Sequence, residues 1–260
     1  MQPVGKSDIL LKLEADESRS ITLKESYLGV HVSPLTYEGI VTELKTRIKE
    51  GEQSTIIAVN PEKVMAAQKD PQVMDLINNS TFQIADGTGI LLASKLKKGT
   101  ITSRVTGVDM MARLLKFAEE EGYPIYLYGA KKEVIEKAAA NIKNKHKGIT
   151  IAGITDGYEQ DEEALIERIN NSQAKMIFVA LGSPKQELWI RRNLDKLKDV
   201  QVFQGVGGSF DIFSGTVKRA PAFFRKFGIE WLYRLISNPT RLKRQLNLPR
   251  FLIKVLFTRK

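Results

Sequence analysis

STIIAVNPEKVMAA, residues 54 to 67, carries two patterns with no gap between them. The first six residues are short and rich in β-branched and apolar side chains, as expected of a buried strand. At Asn60 the pattern becomes a helix start. Asn60 is a good N-cap, Pro61 suits the first helical position, and Glu62 complements the positive end of the helix dipole. Strand, turn and helix in immediate succession form the repeating unit of a parallel sheet.

The same unit recurs on either side of this stretch. YLGVHV (27–32) precedes LTYEGIVTELKTRIKEG, whose apolar residues fall at helical spacing. FQIA (82–85) leads into Asp86 and then GILLASKL. PIYLYGA (124–130) precedes a charged helix over 131–146, and ITIAG (149–153) precedes a helix over 161–172. KMIFVALG (175–182) runs into SPKQELWIRRNLDKL, and VQVFQGVGG (200–208) closes the series. The expected fold is α/β, with a largely parallel sheet, flanking helices and a Rossmann-like core. Ligands bind such sheets beyond the carboxyl ends of the strands. Asp86, Gly182-Ser183-Pro184 and Gly205 to Asp211 all fall at such ends.

Composition narrows the chemistry. The 260 residues are 42% hydrophobic and 27% charged, with no cysteine and two histidines, His31 and His146. Disulfides, thiolate metal sites and a cysteine nucleophile are excluded, and a general base is expected to be Asp or Glu. The first 26 residues lack the pattern of a signal peptide, and no run approaches the roughly 20 apolar residues of a membrane span. A cytoplasmic protein is expected. The net charge of +10 is unevenly placed. From Val217 to Lys260 twelve Lys or Arg face the single acid Glu230, while the preceding 216 residues hold 28 basic and 29 acidic groups. The chain thus divides into an N-terminal extension (1–26), an α/β core (27–217) and a basic, amphipathic helical appendage (218–260).

In that appendage Phe, Trp, Leu and Ile alternate with Arg and Lys at helical spacing, and Pro239 and Pro249 are expected to cut it into about three helices. Two readings stand: a segment lying on an anionic membrane surface, or a helical layer packed on the core with its charges solvated. Nucleic-acid binding is a third use of so much positive charge, but the apolar residues are too many and too periodic for a solvated arm.

Among nucleotide motifs, Gly-x-Gly-x-x-Gly fails twice, because Leu92 and Phe210 stand where the third glycine belongs. There is no P-loop and no Asp-x-Asp pair. What remains are glycine-rich strand ends that can aim backbone N–H groups at an anion, in ALGSPKQELW and GVGGSFD. Asp86 itself is open to two readings, ordinary Asp-Gly turn chemistry or a reactive carboxylate at the sheet edge.

VNPEKVM, ADGTGILLASKL, RVTGVDMM, YLYGA, DGY, VALGSPKQELWI, GVGGSFDIFSGTVKRAP and GIEWLYRLISNPTRLKRQ occur in this order at ordinary spacing. From about residue 27 onward the chain resembles the WecG/TagA/CpsF family of bacterial glycosyltransferases. The resemblance implies inverting, metal-independent transfer of an N-acetylmannosamine-type sugar from UDP. The implied acceptor is undecaprenyl-diphosphate-linked N-acetylglucosamine, in teichoic acid linkage-unit or related polysaccharide synthesis. No cofactor is implied. The implied location is the inner face of the cell membrane, reached through residues 218–260, and self-association is left open. A different UDP-sugar, such as glucose or N-acetylmannosaminuronic acid, is the alternative donor.

Carried onto this sequence, the resemblance makes Asp86 the general base for the acceptor hydroxyl. It places Asn60 in the same pocket, where helix capping explains that residue equally well. Arg104 is implied near the diphosphate or acceptor, Gln186 at the donor, and Tyr158 and Asp211 in the pocket. Arg234, Arg241 and Arg244 are implied as phosphate-binding arginines on an appendage that folds over the site. Many relatives carry threonine two residues before the pocket asparagine, where this chain has Ala58.

Overall fold

The computed structural model describes residues 24–237 and 246–258. Six strands form one sheet: β3 (Ser54–Val59), β4 (Phe82–Ala85), β5 (Ile125–Gly129), β6 (Ile151–Thr155), β7 (Met176–Ala180) and β8 (Val202–Gly205). Their order is β4-β3-β8-β7-β5-β6, and every pairing is parallel. Strands β3 and β8, far apart in sequence, lie side by side, with Ile56 opposite Gln204.

Successive residues of each strand point to opposite faces, and both faces are covered. On one face Ile56, Ile84, Leu127 and Phe178 pack against helices Tyr37–Lys49, Gly107–Glu121 and Lys132–Lys145. On the other, Ile57, Val59 and Ala85 pack against helices Pro61–Ala67, Pro71–Asn78 and Thr88–Leu96, while Tyr126, Tyr128, Ile177 and Val179 pack against Glu162–Asn171 and Lys185–Asn193.

YLGVHV does not join this sheet. It contributes to a separate antiparallel hairpin, β1 (Glu25–Tyr27) with β2 (Val30–Val32). Leu28 and Gly29 both have positive φ (53° and 79°), which is the geometry of a two-residue hairpin turn and folds the segment back on itself. The hairpin touches the sheet edge through Ser33, whose N–H donates to the Gln83 carbonyl (2.8 Å).

The basic C-terminal segment contains helices Ala222–Lys226, Glu230–Ser237 and Asn247–Phe257 among the described residues. The first break comes from Gly228, at φ +70°, rather than from a proline. Pro249 does not separate two helices. It sits in the first turn of the last one, where its missing N–H has no intrahelical acceptor to lose. Pro239 lies outside the described residues. The last helix packs onto the body, with Phe251 and Val255 buried in the core beside Tyr27, Val59 and Ile90. The Phe251 and Tyr27 rings meet edge to face, with centroids 6.4 Å apart. Ile253, Leu256 and Phe257 on the same helix are exposed.

Phe251 has no exposed surface. Phe251→Ala is expected to cost about 3–5 kcal/mol of stability in urea unfolding, whereas Phe257→Ala, on the exposed side, should change it by less than about 0.5 kcal/mol.

Candidate active site

The carboxyl ends of β3, β4 and β8 surround a cavity of about 360 Å³. A second, more open cleft of about 880 Å³ lies against the ends of β5 and β7. The two share one wall, the turn Gly207–Gly208.

Asp86 lines the first cavity. Its N–H donates to the Val59 carbonyl (2.8 Å), extending the β3–β4 ladder one residue past the strand. Gly87, at φ +92°, then turns the chain into helix Thr88–Leu96, a backbone conformation that L side chains rarely adopt. The phenol of Tyr37 is near enough to feel Asp86. Burial pushes its pKa up, the charges of Asp109 and Asp86 add to the rise, and hydrogen bonding to Thr106 opposes it. The Tyr37 hydroxyl accepts the Thr106 N–H (2.8 Å).

Asn60 also lines this cavity and caps helix Pro61–Ala67, its Oδ1 accepting the Lys63 N–H (2.9 Å). Capping and pocket lining therefore coexist in one side chain. Ala58 forms part of the same wall. Gln186 lines it too, but is only 4% exposed and is engaged within the protein. Its Oε1 accepts the Gly207 N–H (3.0 Å) and its Nε2 donates to Glu187 (3.0 Å).

The mouth carries an ionic group. Arg104 pairs with Glu230 (3.1 Å), Arg219 with Asp109 (2.6 Å), and the Arg219 Nε lies 4.0 Å from Glu230. Burial alone would raise the Asp109 pKa. Hydrogen bonds from Arg219 and Thr106, with the charges of Arg219 and Arg104, outweigh it and hold the carboxyl below its ordinary range. The C-terminal segment completes the enclosure through Gly228, Glu230, Trp231 and Leu248. Packing there is tight: a Cβ on Gly89 would stand 2.3 Å from Pro61 Cγ and 2.6 Å from Leu248 Cδ1.

Asp86, Asn60, Arg104 and Gln186 thus meet in one cavity. Tyr158 and Asp211 lie in the neighbouring cleft, with Lys131, Lys185 and Arg192. Tyr158 is 69% exposed. Arg234 belongs to helix Glu230–Ser237, which contributes Glu230 and Trp231 to the cavity wall. Arg241 and Arg244 lie outside the described residues. Among the described residues no three His, Cys, Asp or Glu side chains converge as metal ligands would.

Comparison with known proteins gives this geometry a family. Residues 25–260 match the model described as the glycosyl transferase WecG/TagA/CpsF family. The chain belongs to that family. It is 42% identical over 203 residues to the N-acetylglucosaminyldiphosphoundecaprenol N-acetyl-beta-D-mannosaminyltransferase of Bacillus subtilis (strain 168), covering 78% of this chain and 79% of the relative. It is 38% identical over 211 residues to the protein of the same description from Bacillus spizizenii (strain ATCC 23059 / NRRL B-14472 / W23), covering 81% and 82%. The chain is therefore a glycosyltransferase.

In this WecG/TagA/CpsF glycosyltransferase, Lys63, Thr106, Arg219, Glu230 and Trp231 also line the cavity, beyond the residues that the resemblance implied. One signal was available. In TGVD (106–109) a hydroxyl stands three residues before an acid, the pattern of a helix start, and Thr106 does cap helix Gly107–Glu121. Arg219 and Glu230 had no such local mark, because their partners Asp109 and Arg104 are more than 100 residues away.

The Asp109 pairing predicts a signed pH effect. A carboxyl whose pKa is lowered on folding stabilises the fold above its unfolded value and loses that contribution as pH falls through the folded one. Asp109→Asn should melt below the wild type at pH 7, and the gap should close as the pH drops below the ordinary aspartate value of 3.8. Thermal melts across pH 2.5 to 7 check this.

Proposed function

We propose that this glycosyltransferase moves an N-acetylmannosamine-type sugar from UDP to N-acetylglucosamine carried on undecaprenyl diphosphate, as the names of its Bacillus relatives describe for those proteins. The observation that carries the proposal is Asp86, a carboxylate at a strand end in a cavity that also holds Asn60 and Arg104. In an inverting transfer, the acceptor hydroxyl oxygen forms a bond to the anomeric carbon while the bond to UDP breaks. Asp86 takes the hydroxyl proton, and UDP leaves with the bonding electron pair. The glycines at the β4 and β8 ends leave room for the sugars.

The two clefts divide the substrates. The acceptor sugar sits in the cavity with Asp86. The UDP portion sits in the larger cleft, where Tyr158 offers an aromatic face and Lys131, Lys185 and Arg192 offer positive charge. The anomeric carbon then lies at the shared Gly207–Gly208 wall. Diphosphate charge is balanced by these cations and by Arg104 and Arg219 at the cavity mouth, supported by Arg234, Arg241 and Arg244. Ala58 removes a hydroxyl from the wall, so the donor is settled by assay with a panel of UDP-sugars.

Lipid-linked acceptor requires the protein to reach a membrane surface. No helix among the described residues is long and apolar enough to cross a bilayer. Helices Thr88–Leu96 and Asn247–Phe257 pack on one another and expose Leu92, Leu96, Ile253, Leu256 and Phe257. These residues, with the surrounding Lys and Arg, fit shallow insertion into an anionic surface.

Two measurements test this function. UDP release from a lipid-linked N-acetylglucosamine diphosphate acceptor should occur with one donor of the panel, and Asp86→Asn should lower kcat by about 10²–10⁴-fold. Unchanged kcat removes Asp86 as the base. Separately, the protein should sediment with vesicles containing anionic lipid more than with neutral ones. Leu256→Asp with Phe257→Asp should weaken that sedimentation at least tenfold, and equal sedimentation of the variant rules out this surface.

A further inference from the structure

A line of hydrogen bonds crosses beneath the cavity, from the end of β3 to the turn after β8. Asn60 Oδ1 holds the Lys63 N–H (2.9 Å), and Lys63 Nζ meets Glu187 Oε1 at 2.7 Å. The same Oε1 accepts from Gln186 Nε2 (3.0 Å), and Gln186 Oε1 accepts the Gly207 N–H (3.0 Å). Lys63, Gln186 and Glu187 all have largely buried side chains. Gly205 makes room for the line: a Cβ there would stand 2.6 Å from Gln186 Nε2.

Stability does not account for an ion pair in this place. Removing Lys63 and Glu187 from water is costly, and apolar side chains of similar volume often serve a fold as well or better. The charge does settle one thing, which is the direction of the Gln186 amide. Only the NH2 end can face an ionised Glu187, so the oxygen must face Gly207. Glu187 is kept ionised. Burial would raise its pKa, but the Lys63 charge and the hydrogen bonds from Lys63 and Gln186 outweigh this and hold it below its ordinary range. The oxygen end of Gln186 is thereby committed to the turn at Gly207, which has φ +51°.

We infer that Lys63 and Glu187 are positioning residues for glycosyl transfer, acting through the Gln186 amide to hold the Gly207–Gly208 turn that both clefts share. This rests on the transferase function proposed above. With donor and acceptor on opposite sides of that turn, its position sets the distance between the attacking oxygen and the anomeric carbon. A misplacement of about 1 Å there costs on the order of 10² in rate. Gln186 works in this arrangement by shaping the wall.

The test separates positioning from folding. Lys63→Met with Glu187→Met conserves volume and removes both charges together. The double variant should melt within a few degrees of the wild type and keep its KM for the UDP-sugar within about threefold, while kcat falls 30- to 100-fold. Protection of the Gly207 amide from hydrogen exchange should fall at least tenfold, a readout independent of activity. A second pair of variants asks the question through the amide direction. Gln186→Glu sets two carboxylates face to face and should lower kcat at least 100-fold. Adding Glu187→Gln restores a donor opposite an acceptor and should recover at least tenfold. Wild-type kcat in a folded double-methionine variant, or no recovery in the exchanged pair, overturns the inference. If the methionine variant melts far below the wild type, the exchanged pair decides. The wild-type control keeps the two questions apart, since absence of UDP release from the wild type counts against the function itself and leaves the amide-exchange result to judge the turn.

Discussion

Parallel strands impose the constraint from which the site follows. A parallel pair cannot be closed by a tight hairpin, so each strand must hand its chain to a crossover before the next begins. All six strand ends therefore point the same way, and the turns after them gather along one edge of the sheet. The order adds the crevice. From β3 the chain steps outward to β4, from β5 it steps outward to β6 on the far side, and β8 is inserted last between β3 and β7. The turn after β8 is thus placed in the middle, where it serves as a wall to both clefts.

Charge is managed differently above and below that turn. Below it, Lys63 and Glu187 are almost fully desolvated and pair through Glu187 Oε1, while Glu187 Oε2 is buried without a hydrogen-bond partner among the described residues. At the mouth, Arg104 and Glu230 are nearly as buried, while Arg219 and Asp109 keep partial access to water. A buried pair tolerates little movement, because separating it leaves an uncompensated charge. A partly solvated group can exchange a carboxylate partner for a phosphate at smaller cost, since water and neighbouring ions share the change.

The C-terminal segment has two faces with different duties. Phe251, Val255 and Leu248 face inward, the first two closing the core and the third packing close to Gly89 in helix Thr88–Leu96. Ile253, Leu256 and Phe257 face outward on the same helix. The outward apolar residues and the cavity wall, which Leu248 helps to form, are in this way joined through one helix.

The sequence by itself determined the strands, the helix starts and the class of sheet, because these depend on neighbours within a few residues. Asn60 before Pro61, Thr106 before Asp109 and the glycines at or just after the ends of β4, β5, β6, β7 and β8 are all local signals, and the residue blocks they lie in marked the family. It also showed that Asp86 stands at a strand end. YLGVHV forms a hairpin rather than one strand because a Leu28–Gly29 turn of positive φ does not announce itself in apolar spacing, and Pro249 makes no break because a proline is at home in a first turn. Tertiary structure alone decided which strand ends are neighbours, and with that the division of Asp86 and Tyr158 between two clefts. It alone paired Lys63 with Glu187 and Arg219 with Asp109, across more than 100 residues of sequence. Such pairings depend on crossover topology and packing, and no local pattern encodes them.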